Sequence, residues 1–358
     1  MAGKMKAQVF YEKEKMQLED VPVPQISDIE VLVKVKNCGF CGSDTAYYYG
    51  NSPVGTASGK GPIILGHEFT GEVVEVGAVA RAAKLFKPGD RVVVNPVQHC
   101  NACYNCASGH TNLCTNLHVL GVTADGGFAE YCASRYTGLF TLPDSVSYAA
   151  GAVIEPFACA AYGVKKLAIE PGQFVVIFGP GAVGLLMVQL CKSVGAGKVA
   201  LIGTRDYRLE VGKKWGADYL FNTKDTKSKY YVKDLKKAIA DLTNGALADR
   251  AITPTSSNAA FEQAIDITGN AAILVHFGLP DADDVIHVPA DSAHKLDKEI
   301  RFSWLAPMMW PTAIHAVSEG LVKVEPLITG TVPLANAGNA IRAWKEREGD
   351  PVKVQVTP

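Results

Sequence analysis

A short apolar strand followed at once by a glycine-rich turn and a helix is the feature that most constrains this chain. The run FVVIF at 174–178 precedes GPGAVG at 179–184, a G-x-G-x-x-G pattern. The first glycine permits a tight turn, the second lets the backbone approach a diphosphate, and the third lets helix and strand pack closely. N–H groups at the helix start attract the anion. The predicted cofactor-binding residues are Gly179, Gly181, Ala182, Val183 and Gly184; a glycine-rich turn without a ligand is the alternative.

Strands and helices alternate from residue 174 onward, and the strands are nearly continuous in apolar residues. This pattern is typical of a parallel sheet covered by helices on both faces. It predicts a doubly wound Rossmann domain over 156–289. The predicted strands are 174–179, 198–203, 218–222, 249–253 and 271–278, and the predicted helices are 182–194, 206–215, 230–243 and 258–267.

The remaining residues, 1–155 and 290–358, are predicted to form a second, β-rich domain. Short β-branched runs such as 31–35 and 71–76 are separated by Gly, Pro and Asp turn signals. The tail from Pro326 is too small for a core of its own, so we expect its turn, helix and final strand to pack on the β-rich half. The predicted fold class is therefore α/β with two domains.

The end of the second Rossmann strand indicates which dinucleotide binds. NAD sites usually place a carboxylate there for the ribose 2′-hydroxyl, whereas this chain has Gly203, Thr204 and Arg205. A small residue, a hydroxyl and a guanidinium suit a 2′-phosphate, so NADP is predicted over NAD. Arg208 either adds a second positive charge or lies on the surface. Asp206 would favour NAD if a shifted loop turned its carboxylate toward the ribose.

Four cysteines follow the spacing C-x2-C-x2-C-x7-C. Four thiolates at short spacing suit tetrahedral zinc, and a complete shell of four thiolates leaves no position for a substrate. Ferredoxin-like iron–sulfur runs also begin C-x2-C-x2-C, but their fourth cysteine comes after three residues and precedes a proline. A structural zinc lobe over 95–118 is therefore predicted, with the ligands Cys100, Cys103, Cys106 and Cys114.

A second, dispersed set combines a thiol, an imidazole and carboxylates. Cys41 lies in CGFCGSD, His67 and Glu68 lie in GHE, and Glu155 lies in VIEP. One sulfur, one nitrogen and one oxygen ligand would leave a coordination position open for water or substrate, which makes a metal catalytic. Each residue alone indicates little, because a lone Cys is usually a core residue and a Glu before Pro usually belongs to a turn.

In this order and at these separations, the motifs resemble the zinc-dependent medium-chain dehydrogenase/reductase family over essentially the whole chain. Glu155 in place of a cysteine, together with Gly-His-Glu at 66–68, is similar to the polyol (sorbitol-like) dehydrogenase branch. The resemblance implies a GroES-like catalytic domain in addition to the Rossmann coenzyme domain. It implies hydride transfer between a nicotinamide coenzyme, here NADP(H) by the residues at 203–205, and a secondary alcohol or ketone, above all a polyol or sugar alcohol, phosphorylated or not. A vicinal diol or a simple secondary alcohol is the alternative substrate.

The resemblance also assigns roles to residues. The residues implied to hold the catalytic zinc are Cys41, His67 and Glu155, with Glu68 as an alternative or exchanging ligand. Ser43 matches the hydroxyl that passes the substrate proton outward. Ala46 stands where many relatives have a histidine further along that proton path, and Tyr47 is a candidate replacement. Arg301 lies where sorbitol dehydrogenases have an arginine near the substrate.

Charge and composition restrict the partners. Thirty-five basic residues against 36 acidic ones give a formal net charge of −1, which supplies no general attraction for nucleic acid or an anionic membrane. The start MAGKMKAQVF lacks the apolar core of a signal peptide, and nine cysteines are too few for a disulfide scaffold. We therefore expect a cytoplasmic protein with a small-molecule alcohol or ketone as its partner. The resemblance also implies that the chain forms a homodimer or homotetramer.

Two other classes of protein compete with the enzyme. A zinc-stabilised binding protein would keep the fold without turnover, but a structural role does not need a metal with an open position. A zinc-ribbon nucleic-acid binder would need a basic face around residues 95–120, which the sequence lacks. Zinc content separates the enzyme from the binding protein, because the enzyme should hold one catalytic and one structural zinc, and the binding protein only one.

Overall fold

The computed structural model describes residues 3–50, 61–346 and 349–358. The chain divides into two compact units, Met1–Ala158 with Pro307–Pro358, and Cys159–Ala306. The predicted boundaries lie at 155/156 and 289/290. The second lies earlier in the chain than the division in the structure, because a strand at Glu299–Phe302 still pairs in parallel with the Rossmann sheet.

The first 158 residues supply most of the β-rich unit. Buried valines such as Val31, Val33 and Val35 recur in its strands and contribute to its core. Up to residue 167 the strands are β1 Lys4–Glu12, β2 Lys15–Pro22, β3 Glu30–Gly39, β4 Ile63–Ile64, β5 Glu68–Val76, β6 Arg91–Val94, β7 Val97–Gln98, β8 His118–Val119, β9 Tyr131–Arg135 and β10 Leu139–Thr141. The helices are α1 Gly42–Tyr48, α2 Ala78–Ala82, α3 Tyr104–Ala107, α4 Tyr148–Ala152 and α5 Ile154–Leu167.

The Rossmann unit is built on a six-stranded parallel sheet. Its strands are β11 Phe174–Phe178, β12 Lys198–Gly203, β13 Tyr219–Asn222, β14 Ala248–Thr253, β15 Thr268–His276 and β16 Glu299–Phe302. The helices are α6 Ala182–Ser193, α7 Asp206–Lys214, α8 Leu235–Leu242, α9 Asn258–Asp266 and α10 Ala290–Lys295. The strand order β13-β12-β11-β14-β15-β16 reverses direction between β11 and β14, the point where such folds bind ligands.

The C-terminal tail returns to the β-rich unit, as predicted. Helix α11 Trp310–Ser318 precedes the tail, which contains β17 Ile328–Pro333, α12 Ala337–Glu346 and β18 Lys353–Thr357. Strand β18 pairs antiparallel with β3, so the tail completes a seven-stranded sheet in the order β10-β6-β5-β3-β18-β17, with β9 also paired to β3. This pairing buries the last strand beside the first half of the chain. The predicted α/β fold, with a β-rich domain and a doubly wound Rossmann domain, is confirmed.

Two local predictions need correction. The helix expected over 230–243 begins only at Leu235, because the Asp234 side chain accepts from the Lys237 N–H and caps the first turn. Tyr231 instead forms an isolated parallel bridge with Asn222 at the end of β13. The tail also contains strand β17, which its sequence did not predict, because only its pairing with β18 stabilises it.

Helices long and apolar enough to cross a membrane do not occur in residues 3–50, 61–346 and 349–358.

Candidate metal centres and coenzyme site

Cys41 lies between the end of β3 and the start of α1. It has an extended backbone (φ −111°, ψ 161°) and occupies the N-cap position of the helix. The Asp44 carboxylate accepts from the Cys41 backbone N–H over 2.8 Å, as in a capping box. Because backbone and cap are both fixed, the Cys41 sulfur is held in place by local structure.

His67 and Glu68 are placed by a left-handed glycine. Gly66 has φ +91°, and a Cβ there would lie 2.7 Å from a Phe128 ring carbon and 2.8 Å from the Cys38 sulfur. Only glycine fits both this conformation and this space. The second oxygen of Asp44 accepts from the Gly66 N–H over 3.3 Å. Asp44 therefore ties the segment that carries His67 to the segment that carries Cys41.

The structure brings Cys41, His67 and Glu68 together. Their sulfur, ring nitrogen and carboxylate oxygen all lie within 4.8 Å of one another, and His67 and Glu68 are buried. Glu155, in the first turn of α5, is also buried but does not belong to this compact set within the described part of the chain. The arrangement favours Glu68 over Glu155 as the carboxylate closest to the thiol and the imidazole.

The imidazole of His67 has different neighbours at its two nitrogens. Nδ1 lies 3.6 Å from an Asp44 oxygen, and Nε2 lies 3.4 Å from the Ser43 hydroxyl. Burial alone would lower the pKa of His67, but the negative charges of Asp44 and Cys41 outweigh burial and raise it well above its usual value. A carboxylate facing one nitrogen orients the ring so that the other nitrogen can bind a metal.

A lysine from the far end of the chain pairs with Glu68. Lys353 on β18 donates to both Glu68 oxygens, over 2.8 and 2.7 Å, and to the Phe40 carbonyl over 2.9 Å. Both side chains are almost fully buried. Burial alone would lower the pKa of Lys353, but Glu68, with further contributions from Cys41 and Glu155, raises it above its usual value. Lys353 therefore stays charged and orients the Glu68 carboxylate.

The donor set fits a divalent cation. The carboxylates of Asp44, Glu68 and Glu155 are buried in the same unit, and Lys353 is the cation that pairs with Glu68. Buried negative charge without a counter-charge is costly, so a doubly charged ion would relieve the imbalance. One sulfur, one nitrogen and one oxygen ligand form the mixed donor set that zinc accepts, with a fourth position left open.

The predicted lobe of four cysteines also assembles. The sulfurs of Cys100, Cys103, Cys106 and Cys114 lie within 4.8 Å of one another. Backbone N–H groups point at these sulfurs: the Cys100 N–H donates to the Cys114 sulfur and the Cys103 N–H to the Cys100 sulfur, each over 3.3 Å. Donors from Cys106 and Thr115 lower the pKa of the Cys103 thiol to about 5, whereas burial and the neighbouring thiols raise that of Cys106 to about 12. A thiol already disposed to ionise is a ready metal ligand.

The glycine-rich turn has the geometry that a diphosphate site needs. Gly179 has φ +108°, and a Cβ on Gly184 would lie 2.0 Å from the Gly179 carbonyl, so α6 packs directly on the turn. At Gly181 a Cβ would meet no atom of the described residues within 4 Å. The second glycine therefore borders open space at the helix start, where Ala182 and Val183 are half-buried.

The end of β12 shows why this chain lacks the usual acidic residue. Gly203 is buried, and a Cβ there would lie 2.6 Å from the Pro180 ring of the glycine-rich turn. A side chain at this position would require the proline to move, so Gly203 is dictated by packing as well as by any ligand. Thr204 is exposed, and Arg205 is half-buried, as is Arg208.

Tyr47 and Arg301, which the sequence singled out as candidates near the substrate, make contacts within the core and within the Rossmann unit. Tyr47 is buried in the core of the β-rich unit, with its ring edge to face with Phe10 at 6.5 Å. Arg301 on β16 donates to the Glu299 carboxylate over 3.0 and 2.6 Å and to the Lys166 carbonyl over 2.7 Å. The Arg301 guanidinium is thus engaged within the Rossmann unit.

Sequence reasoning assigned no role to Asp44 or Lys353. The signal for Asp44 was its position three residues after the N-cap Cys41, where an acidic side chain completes a capping box. Lys353 could have been noticed because it stands between two valines in the predicted final strand. In the structure that strand is buried along most of its length. A lysine in such a strand needs a buried partner.

The fold and these sites together define a zinc-binding dehydrogenase of the alcohol dehydrogenase type. A family model of the alcohol dehydrogenase GroES-like domain matches residues 27–144, and one of the zinc-binding dehydrogenases matches residues 182–319. The chain belongs to the zinc-dependent medium-chain dehydrogenase/reductase family, as the sequence motifs predicted.

Individual relatives support the same assignment. Sorbitol dehydrogenase of Bacillus subtilis is 32% identical over 356 residues, which cover 99% of this chain and 97% of the relative. A Sinorhizobium meliloti protein solved bound to NADP has a TM-score of 0.90 and 28% identity, covering 99% of this chain and all of the other. A short chain alcohol dehydrogenase from Escherichia coli solved with NADH has a TM-score of 0.89 and 31% identity, with the same coverage.

Proposed function

We propose that this chain is a zinc-dependent dehydrogenase that transfers hydride between NADP(H) and a secondary alcohol or its ketone, with a polyol as the substrate. The observation that carries the proposal is the set of Cys41, His67 and Glu68, whose donor atoms lie within 4.8 Å of one another. Three protein ligands leave zinc a coordination position for substrate. The similarity to a sorbitol dehydrogenase over 99% of the chain supports a polyol.

The chain's own residues would divide the work between metal binding and proton transfer. Cys41, His67 and Glu68 would hold the zinc, and Glu155 would serve as an exchanging carboxylate. A zinc ion held there would supply Lewis-acid polarisation of the substrate oxygen, and a bound coenzyme would supply or accept the hydride. The Ser43 hydroxyl, 3.4 Å from His67 Nε2, accepts the substrate proton and passes it outward.

The four-cysteine lobe would hold a second zinc with a structural role. All four ligands are thiols, and four thiolates complete the tetrahedral shell. No position then remains for a substrate, so this ion would stabilise the lobe at 95–118 and take no part in the reaction. The proposal therefore requires two zinc ions per chain, one in each set.

NADP preference has two structural supports. Pro180 crowds the position of Gly203, so the strand end cannot present a carboxylate without rearrangement. The Asp206 carboxylate, the acidic group that could replace it, already accepts from Asn222 and Ser228. Thr204 and Arg205 then remain as the groups beside the ribose, and a guanidinium pairs strongly with a phosphate.

A substrate and coenzyme panel tests the proposal. Purified, zinc-loaded protein would be assayed with polyols, their phosphates, vicinal diols and simple secondary alcohols, each with NADP⁺ and NAD⁺ in parallel. We expect polyol oxidation with kcat/KM for NADP⁺ roughly tenfold or more above that for NAD⁺, the worth of one charge-assisted contact. Arg205→Ala should remove this preference, whereas Lys213→Ala, an exposed cation on the helix that follows, should leave it unchanged. A preference for NAD⁺ in the unmodified protein would refute the NADP assignment.

A further inference from the structure

The acidic residue nearest to the predicted 2′-phosphate site is held by two donors. Asp206 is the first residue of α7, directly after Arg205. One of its carboxylate oxygens accepts from the Asn222 side-chain amide over 2.8 Å and from the Ser228 hydroxyl over 2.5 Å. Both donors lie on the segment 222–231, which begins at the end of the neighbouring strand β13.

Asn222 can donate to Asp206 in only one orientation, and the structure fixes it. Its side-chain oxygen accepts from the backbone N–H groups of Lys224 and Asp225, over 3.0 and 2.9 Å. The amide nitrogen must then face Asp206, because an amide presents its acceptor and its donor on opposite sides. Asn222 is fully buried, and its backbone N–H donates to the Tyr230 carbonyl over 2.8 Å. The donor is therefore rigid.

The other carboxylate of α7 is tied to the same segment. Glu210 pairs with Lys229 over 2.6 Å and accepts from the Tyr230 hydroxyl. Asp206 and Glu210 are four residues apart and therefore lie on one face of the helix. Segment 222–231 thus donates to both acidic side chains of α7.

We propose that Asn222 and Ser228 are specificity-determining positioning residues, which hold the Asp206 carboxylate away from the ribose 2′ position and so favour NADP(H). The inference rests on the proposed NADP preference. A released carboxylate one residue from Arg205 would accept a bond from a 2′-hydroxyl and repel a 2′-phosphate. Restraint of that carboxylate, in addition to the presence of Arg205, then sets the choice of coenzyme.

Direct binding measurements test this proposal without the reaction. Dissociation constants of NADPH and NADH would be measured by nicotinamide fluorescence for the zinc-loaded protein and for Ser228→Ala. Ser228 is half-buried and its hydroxyl also accepts from the Tyr230 N–H over 3.0 Å, so the melting temperature of the variant would be measured to check that the fold is kept. We expect the NADPH-over-NADH selectivity to fall roughly fivefold, the worth of one hydrogen bond, mainly through tighter NADH binding.

Two further variants show whether the change acts through Asp206. In Ser228→Ala/Asp206→Asn the gain in NADH affinity should disappear, because the amide cannot replace the carboxylate as a charged acceptor. Tyr230→Phe removes the neighbouring contact to Glu210 from the same segment and should leave selectivity unchanged.

The outcomes separate the two proposals. If the unmodified protein binds NADH more tightly than NADPH, the NADP assignment itself fails. If it prefers NADPH but Ser228→Ala keeps the full selectivity, the role of Ser228 is overturned. If Tyr230→Phe shifts the selectivity as much as Ser228→Ala does, the effect comes from the segment as a whole. If the double variant keeps the gain in NADH affinity, the effect does not act through Asp206. Either result overturns the proposal.

Discussion

The two candidate metal sets of the β-rich unit are built in opposite ways. The four-cysteine lobe takes all its ligands from residues 100–114, and its sulfurs are supported by nearby backbone N–H groups. The Cys41–His67–Glu68 set takes its ligands from the N-cap of α1 and from the start of β5, and His67 and Glu68 are buried. Its supports, Asp44 and Lys353, are charged side chains, and Lys353 comes from the last strand of the chain.

This difference matches the different roles proposed for the two metal ions, one structural and one catalytic. A closed thiolate shell needs no outside charge and can fold locally around its ion. A site that leaves a ligand position open must fix each donor by other means, and here buried charges provide that orientation. The comparison predicts that loss of a cysteine ligand of the lobe chiefly changes stability, whereas loss of a ligand of the dispersed set chiefly changes activity and metal affinity.

The largest effect is expected for His67→Ala. Loss of a zinc ligand removes Lewis-acid activation, worth several kcal/mol, so kcat/KM should fall roughly a thousandfold or more. Steady-state assays measure this loss, and the melting temperature shows whether the fold survives. His110→Ala, an exposed histidine of the four-cysteine lobe, is the matched control and should keep near-normal activity. Equal losses in both variants would remove the distinction between the two sets.

Lys353→Met is expected to destabilise the metal-free protein by about 3–5 kcal/mol, because the buried Glu68 carboxylate loses its counter-charge. Zinc compensates that charge, so the loss should be smaller in the zinc-loaded protein, and zinc should bind more tightly. Denaturant unfolding with and without zinc measures both. The double variant Lys353→Met/Glu68→Gln should recover stability. A loss of equal size with and without zinc would show that Lys353 acts independently of the metal.

Cys103→Ser is expected to destabilise the lobe by about 3 kcal/mol, near the upper end for single substitutions, through loss of its metal. The melting temperature should fall by roughly 6–12 °C. Ser108→Ala, an exposed serine of the same lobe, should leave it unchanged. An intact melting temperature with a thousandfold loss of activity would assign the lobe to the reaction.

Asp44→Asn is expected to have the smallest effect of the four. The amide can still accept from the Cys41 N–H, but the charge facing His67 is lost. Zinc affinity should fall roughly 10–100-fold, as is usual for a residue that supports a metal ligand. Competition with a chelator measures the affinity. Unchanged affinity would mean that Asp44 only caps α1.

The same contrast explains what could be predicted from sequence. The four-cysteine lobe and the strand–turn–helix at 174–194 are local patterns, so their spacing alone carried the prediction. The dispersed set was reached through resemblance to a family, since its parts mean little singly. Lys353 was missed because it meets Glu68 only after the tail pairs with β3.

Other features depend on contacts that no local pattern reports. The sequence suggested that Gly203 serves coenzyme binding. The structure adds a second reason for glycine, because the Pro180 ring leaves no room for a side chain at this position. Asp206 looked able to reach the ribose, and only the fold shows its bonds to Asn222 and Ser228. Strand β17 exists because β18 pairs with it.

The zinc content of the protein tests the central claim most directly. Elemental analysis of the purified, zinc-loaded chain should give two zinc ions per chain and no iron, and His67→Ala should give one. A single zinc in the unmodified protein, or two that both survive the loss of His67, would contradict the account of one closed and one open site.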